Sequence, residues 1–257
     1  MRNLLVKIAY DGSRYHGWQV QENALSVQSV FQQALEKILC ESVELKGCSR
    51  TDTGVHAREY AISFKTTRTI PAQSLVFALN RFLPGDIAAK SCKEVPEEFH
   101  ARYSCRGKEY VYEIWNDPIR NAFLENRALF HRYPLDTEKM NRAAAYFLGC
   151  HDFSTFCTGD KRDPNHMERT VFRSEVSREG KIVRFTVAAD GFLYNMVRIM
   201  VGTLLEVSRG RFQPEEIPAM IEQKNRKAAG PTAPACGLYL NRVFYEGGED
   251  VWMKKEI

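Results

Sequence analysis

Apolar residues in the first part of the chain change their spacing from segment to segment, and each spacing predicts an element. Residues 4–10 (LLVKIAY) form a short apolar run before the turn residues Asp11-Gly12, which indicates a β-strand. From Val27 to Leu39 apolar residues recur at i, i+3, i+4 and i+7, so this segment is predicted to be an amphipathic helix. Two strands, a helix and a strand follow, at 43–49, 59–67, 74–83 and 86–95. The order β-α-β-β-α-β is that of a split ferredoxin-like unit.

The second part of the chain repeats this order loosely. The pattern predicts a strand, a helix starting at the capping residue Asp136, a hairpin, a helix and a closing strand, at 108–116, 136–148, 170–189, 193–207 and 237–245. The sequence therefore predicts an α+β fold of two ferredoxin-like, RRM-like βαββαβ halves, whose antiparallel sheets pack around a central cleft. Because no low-complexity linker separates the halves, residues 1–105 and 106–257 are expected to form one packed body. The tail at 247–257 receives no assignment.

Composition restricts the partners and the compartment. A net charge of +4 and a pI of about 8.6 permit a polyanionic partner without demanding one. Seven cysteines with no C-x-x-C pair argue against a disulfide framework or a zinc ribbon, and free thiols are typical of a reducing cytoplasm. The longest apolar stretch, 192–207, is shorter than the ~20 residues of a membrane span and contains Arg198. A soluble, cytoplasmic protein without a membrane segment is expected.

The segment GCSRTDTGVHA at 47–57 contains a single carboxylate, Asp52. Three roles are open for it: a turn residue that accepts a backbone hydrogen bond, a metal ligand, or a lone catalytic carboxylate. The first is the commonest role of Asp before x-Gly. Arg50 and Arg58 also fit solvated surface charges without a functional role. His56 also fits a structural histidine held by hydrogen bonds. A metal site would need further ligands, and none lies nearby in the sequence, so no metal is predicted.

The helix predicted at 193–207 carries Arg198 on a ridge beside a broad apolar face. A guanidinium in such surroundings snorkels to solvent or pairs with an anion, because an unpaired buried charge is very costly. A structural role of this kind fits the pattern, and so does pairing with a carboxylate from the other half. In the second case the partner is Asp52, which the pairing would keep ionised inside a cleft.

Two further segments suggest chemistry. The strand RGKEYVY at 106–112 partly resembles an RNA-recognition strand, and Tyr110 and Tyr112 would share one of its faces. There they could stack on a base or simply pack in a core. The run Cys150-His151-Asp152 suggests a thiol nucleophile, but three consecutive residues on one element rarely converge on one reacting atom.

Several of these segments, taken in order, resemble the tRNA pseudouridine synthase A family. YDGSRYHGWQVQ at 10–21 is similar to the family's N-terminal signature, and GCSRTDTGVHA is similar to its catalytic segment, with Asp52 at the position of the catalytic acid. The other similar motifs, in the family's order, are NRFLPGDI, FHARYS, KEYVY, GCHDFSTFC, RTV, FLYNMVR and APACGLYL. Thr53 and Cys48 depart from the commoner residues, and neither carries assigned chemistry. The resemblance covers nearly the whole chain.

The resemblance implies a cofactor-free isomerase of tRNA processing. Such an enzyme breaks the N1–C1′ bond of uridine and rejoins the base through C5, which gives pseudouridine, at positions 38, 39 and 40 of the anticodon stem-loop. It also implies that the central cleft binds RNA and that the target base is flipped into this cleft. The implied partners are tRNA and a second copy of the chain in a homodimer.

Five residues acquire roles from the resemblance. Asp52 is implied to be the nucleophile, either on the ribose or on C6 of the base, and Arg198 is implied to pair with it. Tyr110 would stack on the flipped base, and a role as the base that takes the C5 proton is open as well. Arg50 corresponds to the family arginine that helps to displace the base, and Leu238 is expected to pack near the site.

Two other functions stay open on the residues alone. The βαββαβ order and the strand at 106–112 also fit an RNA-binding protein that does no chemistry. The cysteines and histidines leave room for a thiol- or metal-dependent enzyme that acts on nucleobases.

Overall fold

The computed structural model describes residues 1–159 and 166–246 of the chain. The architecture is mixed α/β with mostly antiparallel strand pairing. The chain divides into two compact units, residues 1–106 together with the last strand from Tyr239, and residues 107–238. The tail at 247–257, unassigned in the sequence, lies outside the described residues.

The first unit contains the predicted elements in the predicted order. They are β1 (Arg2–Tyr10), α1 (Val27–Leu39), β2 (Lys46–Gly47), β3 (His56–Thr66), α2 (Ala72–Phe82) and β4 (Ile87–Val95), joined by the last strand of the described residues, β10 (Leu238–Tyr245). Strand β1 lies between β3 and β4 and is antiparallel to both. Strand β2 pairs with β3 over two residues only.

The last strand belongs with the first unit, whereas the predicted division after residue 105 placed it in the second half. Within this unit it pairs in parallel with β3, and the pairing matches Tyr239 with His56 and Leu240 with Ala57. Strand β2 is also shorter than the predicted 43–49. Beyond it, the carbonyl oxygen of Ser49 accepts a hydrogen bond from the Tyr60 hydroxyl, and the chain then turns.

Helix α1 has the predicted bounds because its ends are specified locally. Ser26 and Ser29 form a capping box, in which the Ser26 side chain accepts from the Ser29 N–H at 3.2 Å and the Ser29 hydroxyl accepts from the Ser26 N–H at 3.3 Å. At the other end Cys40 adopts a left-handed conformation, with φ of 52°. Of the predicted apolar face, Val30 and Ile38 are partly buried, and the buried members are Val27, Phe31, Ala34, Leu35 and Leu39.

The second unit contains β5 (Cys105–Asn116), β6 (Leu129–His131), α3 (Thr137–Ala145), β7 (Gly149–Asp152), β8 (Glu168–Glu179), β9 (Ile182–Ala189), α4 (Met196–Ser208) and α5 (Ile217–Glu222). Strand β9 is antiparallel to β5 on one side and to β8 on the other. Strand β7 continues the sheet beyond β8, and β6 pairs in parallel with β5. Strands β6 and β7 and helix α5 were not predicted, because each is too short to show a periodic pattern.

The predicted hairpin at 170–189 is confirmed, with Gly180 at φ of 57° in the turn between β8 and β9. Asp136 is the N-cap of α3, and its side chain accepts from the Lys139 N–H at 2.9 Å. Helix α4 begins at Met196 rather than at 193, because Asn195 has a left-handed conformation, with φ of 61° and ψ of 7°. None of the helices in the described residues has the length and apolar character needed to cross a membrane.

Candidate active-site residues

Asp52 lies in a tight turn just before β3. Its carbonyl oxygen accepts a hydrogen bond from the Val55 N–H at 3.1 Å, and Gly54 adopts a φ of +78° inside the turn. The glycine is needed at this point because L side chains rarely adopt such a φ. Asp52 therefore lies in a turn whose closing hydrogen bond uses its main-chain carbonyl oxygen. The Asp52 residue is partly exposed.

The turn is braced by the N-terminal motif at 10–21. The Tyr10 hydroxyl lies 2.8 Å from the Thr51 hydroxyl, and the Trp18 N–H donates to the Thr51 carbonyl oxygen at 3.2 Å. Gly17 passes so close that a Cβ on it would lie 2.2 Å from the same carbonyl oxygen. The two motifs are thus one structural feature, in which the first segment fixes the backbone next to Asp52.

His56 is a hydrogen-bonded structural histidine, which was one of the alternatives that the sequence left open. Its side chain is buried, with 1% exposure, and its Nδ1 accepts from the Gly12 N–H at 3.0 Å. Its ring stacks on Tyr239 at 4.6 Å, and the Arg58 guanidinium lies over the same Tyr239 ring at 4.5 Å. Arg50, in contrast, is exposed.

In the second unit, Tyr110 and Tyr112 lie two residues apart on β5. Tyr110 is buried and makes an edge-to-face contact with Phe192, with ring centroids 5.0 Å apart. Tyr112 is fully buried and donates its hydroxyl hydrogen to the Pro234 carbonyl oxygen at 2.7 Å. Burial raises the pKa of Tyr112 far above its usual range. Tyr112 is therefore a core residue.

Arg198 is hydrogen-bonded to neighbours within its own unit. Its Nε donates to the Ala233 carbonyl oxygen at 2.7 Å, and its Nη1 donates to the Asn195 Oδ1 at 2.9 Å. The main chain takes part too, because the Ala233 N–H donates to the Arg198 carbonyl oxygen at 3.0 Å. The side chain is partly buried. Its orientation is thus set by specific acceptors, which the sequence pattern did not predict.

The segment at 230–238 connects several of these positions. Gly202 of α4 approaches it so closely that a Cβ would lie 1.7 Å from the Pro231 carbonyl oxygen. Thr203 accepts from the Gly230 N–H at 2.9 Å. A Cβ on Gly237 would meet the Tyr112 ring at 2.7 Å, and the next residue, Leu238, is buried. The sequence signal that could have indicated this packing is the set of glycines Gly202, Gly230 and Gly237.

The run Cys150-His151-Asp152 does not form a catalytic arrangement. The His151 Nε2 lies 2.7 Å from the Leu148 carbonyl oxygen. The Asp152 carboxylate accepts from the Ser154 N–H at 2.9 Å and lies 2.8 Å from the Lys224 Nζ. The histidine and the aspartate are each held by other groups, so the geometric basis for a thiol nucleophile is lacking.

Comparison with known sequences places these residues in a family. The sequence model of the tRNA pseudouridine synthase family matches residues 7–104 and 143–246. The match includes Asp52, Arg198 and Leu238, and its gap contains Tyr110. The chain belongs to the tRNA pseudouridine synthase A family.

Relatives that match nearly the full length of this chain are named tRNA pseudouridine synthase A. The chain is 49% identical to the tRNA pseudouridine synthase A of Acetivibrio thermocellus over 245 residues, which are 95% of this chain and 100% of the relative. For Ruminiclostridium cellulolyticum the identity is 47% over 247 residues, with 95% and 100% covered. For Moorella thermoacetica it is 48% over 244 residues, with 94% and 99% covered.

The family resemblance is confirmed by these relatives. The synthase is an isomerase that forms pseudouridine in tRNA, which decides against the non-catalytic RNA-binding alternative. Among solved structures, a chain of a Cbf5-Nop10-Gar1 complex is similar with a TM-score of 0.32 and 12% identity, over 88% of this chain and 69% of that chain. A likeness this weak supports no inference.

Proposed function

We propose that the synthase converts uridine to pseudouridine at positions 38, 39 and 40 of the tRNA anticodon stem-loop, with Asp52 as the nucleophile. The observation that carries this proposal is the turn at 52–55, which holds the one carboxylate of the family's catalytic segment on a backbone braced by the N-terminal motif. A fixed backbone is what a nucleophile needs, because small errors in position cost large factors in rate.

The chemistry needs a single carboxylate. Asp52 attacks either C1′ of the ribose or C6 of the uracil, and the N1–C1′ bond breaks. The base rotates, a C5–C1′ bond forms, the carboxylate leaves, and the proton lost from C5 is balanced by one gained at N1. No water enters the product, whereas a glycosidase uses a second carboxylate in adding water or in protonating a leaving group. This explains why the segment at 47–57 contains one acid.

The other residues act on the same nucleotide in this proposal. Arg198 pairs with Asp52 and keeps it ionised. Tyr110 stacks on the flipped uracil, and Leu238 packs beside it. Arg50, which is exposed, helps to displace the base from its stack. Flipping costs a few kcal/mol, which stacking and phosphate contacts offset.

The remaining expectations from the sequence are part of the proposal. We infer that the two units are ferredoxin-like halves that bind RNA in a cleft, and that the synthase is a cytoplasmic homodimer. The order of the elements in the first unit supports the assignment of that half. The cytoplasmic expectation is supported by the tRNA substrate of the family.

The test of the proposed chemistry is the substitution Asp52→Asn. We expect it to abolish tritium release from tRNA labelled at C5 of uridine while tRNA binding stays close to that of the wild type. Glu222→Gln, which removes an exposed carboxylate of α5, is the control and should keep full activity. Near-normal tritium release by Asp52→Asn would remove Asp52 from its role. Sequencing of carbodiimide-treated product would show whether positions 38, 39 and 40 are the sites.

A further inference from the structure

Asn195 combines an unusual backbone with an unusual use of its side chain. It is the N-cap of α4 and has the left-handed φ of 61°. An asparagine at an N-cap ordinarily accepts a hydrogen bond from an N–H of the first helical turn. The Asn195 side chain makes no such capping bond. Its carboxamide is directed elsewhere, so helix capping does not account for this residue.

Both ends of the carboxamide are occupied by other groups. The Oδ1 accepts from Arg198 Nη1 at 2.9 Å, and the Nδ2 donates to the Thr158 hydroxyl oxygen at 2.7 Å. A guanidinium has only donors, so the carboxamide must present its oxygen to Arg198 and its nitrogen to Thr158. The Thr158 N–H also donates to the Tyr194 carbonyl oxygen at 3.3 Å, which ties the main chain at 158 to the residue before Asn195.

Two nitrogens of the Arg198 guanidinium thereby have defined acceptors. Its Nε is fixed by the Ala233 carbonyl oxygen and its Nη1 by Asn195. Because a guanidinium is planar and rigid, two fixed nitrogens set the plane of the group and the direction of its remaining N–H bonds.

We propose that Asn195, oriented by Thr158, is a positioning residue that sets the plane of the Arg198 guanidinium for the chemical step. The inference rests on the proposed role of Arg198 in the reaction. Asn195 acts on the reaction through Arg198 and does not contact the uridine.

The experiment measures single-turnover rate constants at saturating enzyme, the dissociation constant for tRNA, and thermal stability. Asn195→Gly deletes the carboxamide and keeps a residue that tolerates a positive φ. Asn23→Gly is its matched control, because Asn23 also has φ of 61° and lies exposed in the first unit. Thr158→Val removes the acceptor of the Asn195 Nδ2 without changing the carboxamide.

We expect Asn195→Gly to lower the single-turnover rate constant about tenfold, as for loss of one hydrogen bond to a charged group, with tRNA affinity within about twofold of wild type. Thr158→Val should lower the rate constant about threefold, since it loosens the carboxamide without removing it. Asn23→Gly should leave the rate constant unchanged.

The decisive measurement repeats Asn195→Gly in an Arg198→Gln background. If Asn195 acts through Arg198, its substitution has no further effect there. An equal loss in both backgrounds, or an unchanged rate constant in both Asn195→Gly and Thr158→Val while Arg198→Gln is impaired, would overturn this inference alone. A wild-type rate constant in Arg198→Gln would overturn the proposed role of Arg198 and this inference with it.

Discussion

Arg198 and Ala233 are joined by two hydrogen bonds, one through the side chain and one through the main chain of the arginine. The Arg198 Nε donates to the Ala233 carbonyl oxygen at 2.7 Å, and the Ala233 N–H donates to the Arg198 carbonyl oxygen at 3.0 Å. The helix that carries the arginine and the segment at 230–238 are therefore fixed to each other at the arginine itself. Changes in either one are expected to reach the other.

Replacement of Arg198 by lysine should impair the reaction although the charge is kept. A single ammonium cannot reproduce the planar fork that contacts both Ala233 and Asn195, so we expect the single-turnover rate constant to fall at least about tenfold. Arg142→Lys, on the exposed face of α3, is the control and should be neutral. Wild-type kinetics in Arg198→Lys would show that the reaction does not need the planar guanidinium, and would contradict its proposed pairing with Asp52.

Gly202→Ala should destabilise the second unit. The added Cβ would lie 1.7 Å from the Pro231 carbonyl oxygen, and helix α4 and the segment at 230–238 must separate to admit it. We expect the free energy of unfolding to fall by about 1–3 kcal/mol, which is typical of overpacking. Urea denaturation provides the measurement. Gly85→Ala is the control, because a Cβ there meets no heavy atom within 4 Å, and equal stability of the two variants would show that the close approach is not needed.

Gly54→Ala should affect stability and chemistry together. The residue has φ of +78° in the turn that holds Asp52, and an alanine in this conformation costs about 1 kcal/mol or shifts the turn. Gly180→Ala is a matched control, since Gly180 has φ of 57°, no neighbour within 4 Å of its Cβ, and a position in the β8–β9 turn. Both variants should lose similar stability, and only Gly54→Ala should lose tritium release. Loss of activity in both would point to a general effect of instability.

The pKa of Tyr112 predicts a stability loss at alkaline pH. Burial raises its pKa in the folded state above the ordinary value of 10.0, so the unfolded chain loses this proton first as the pH rises. The contribution of the neutral phenol is therefore complete below about pH 10 and declines above it. At pH 8, Tyr112→Phe should be less stable by about 1 kcal/mol, because the Pro234 carbonyl oxygen loses its donor.

Above pH 10 the difference between Tyr112→Phe and the wild type should narrow, since phenylalanine does not ionise. Urea denaturation midpoints at pH 8 and pH 10.5 would measure it. Tyr103→Phe is the control, because Tyr103 is 77% exposed and its replacement should leave the pH dependence unchanged. A constant difference between Tyr112→Phe and the wild type at both pH values would show that Tyr112 does not supply this dependence.

The sequence predicted those elements whose signals are local. Helix α1 has the predicted first and last residues because its N-cap and its apolar face are both specified within a few neighbouring positions. Helix α4 begins three residues later than predicted, because apolar periodicity cannot show that Asn195 leaves the helical conformation. The candidate residues came from the resemblance to the family, and membership of that family is confirmed by the family match and the relatives.

By itself, then, the sequence determined the periodic elements, their order and the family, because helix caps, apolar spacing and motifs are contained in short stretches of chain. The tertiary structure decided what holds the candidate residues in place. Thr51 is braced by residues more than thirty positions earlier, and Arg198 is oriented by a carbonyl group 35 positions later. The Trp18 and Arg198 contacts both end on main-chain carbonyl oxygens, which every residue type carries, so no residue pattern could predict these acceptors.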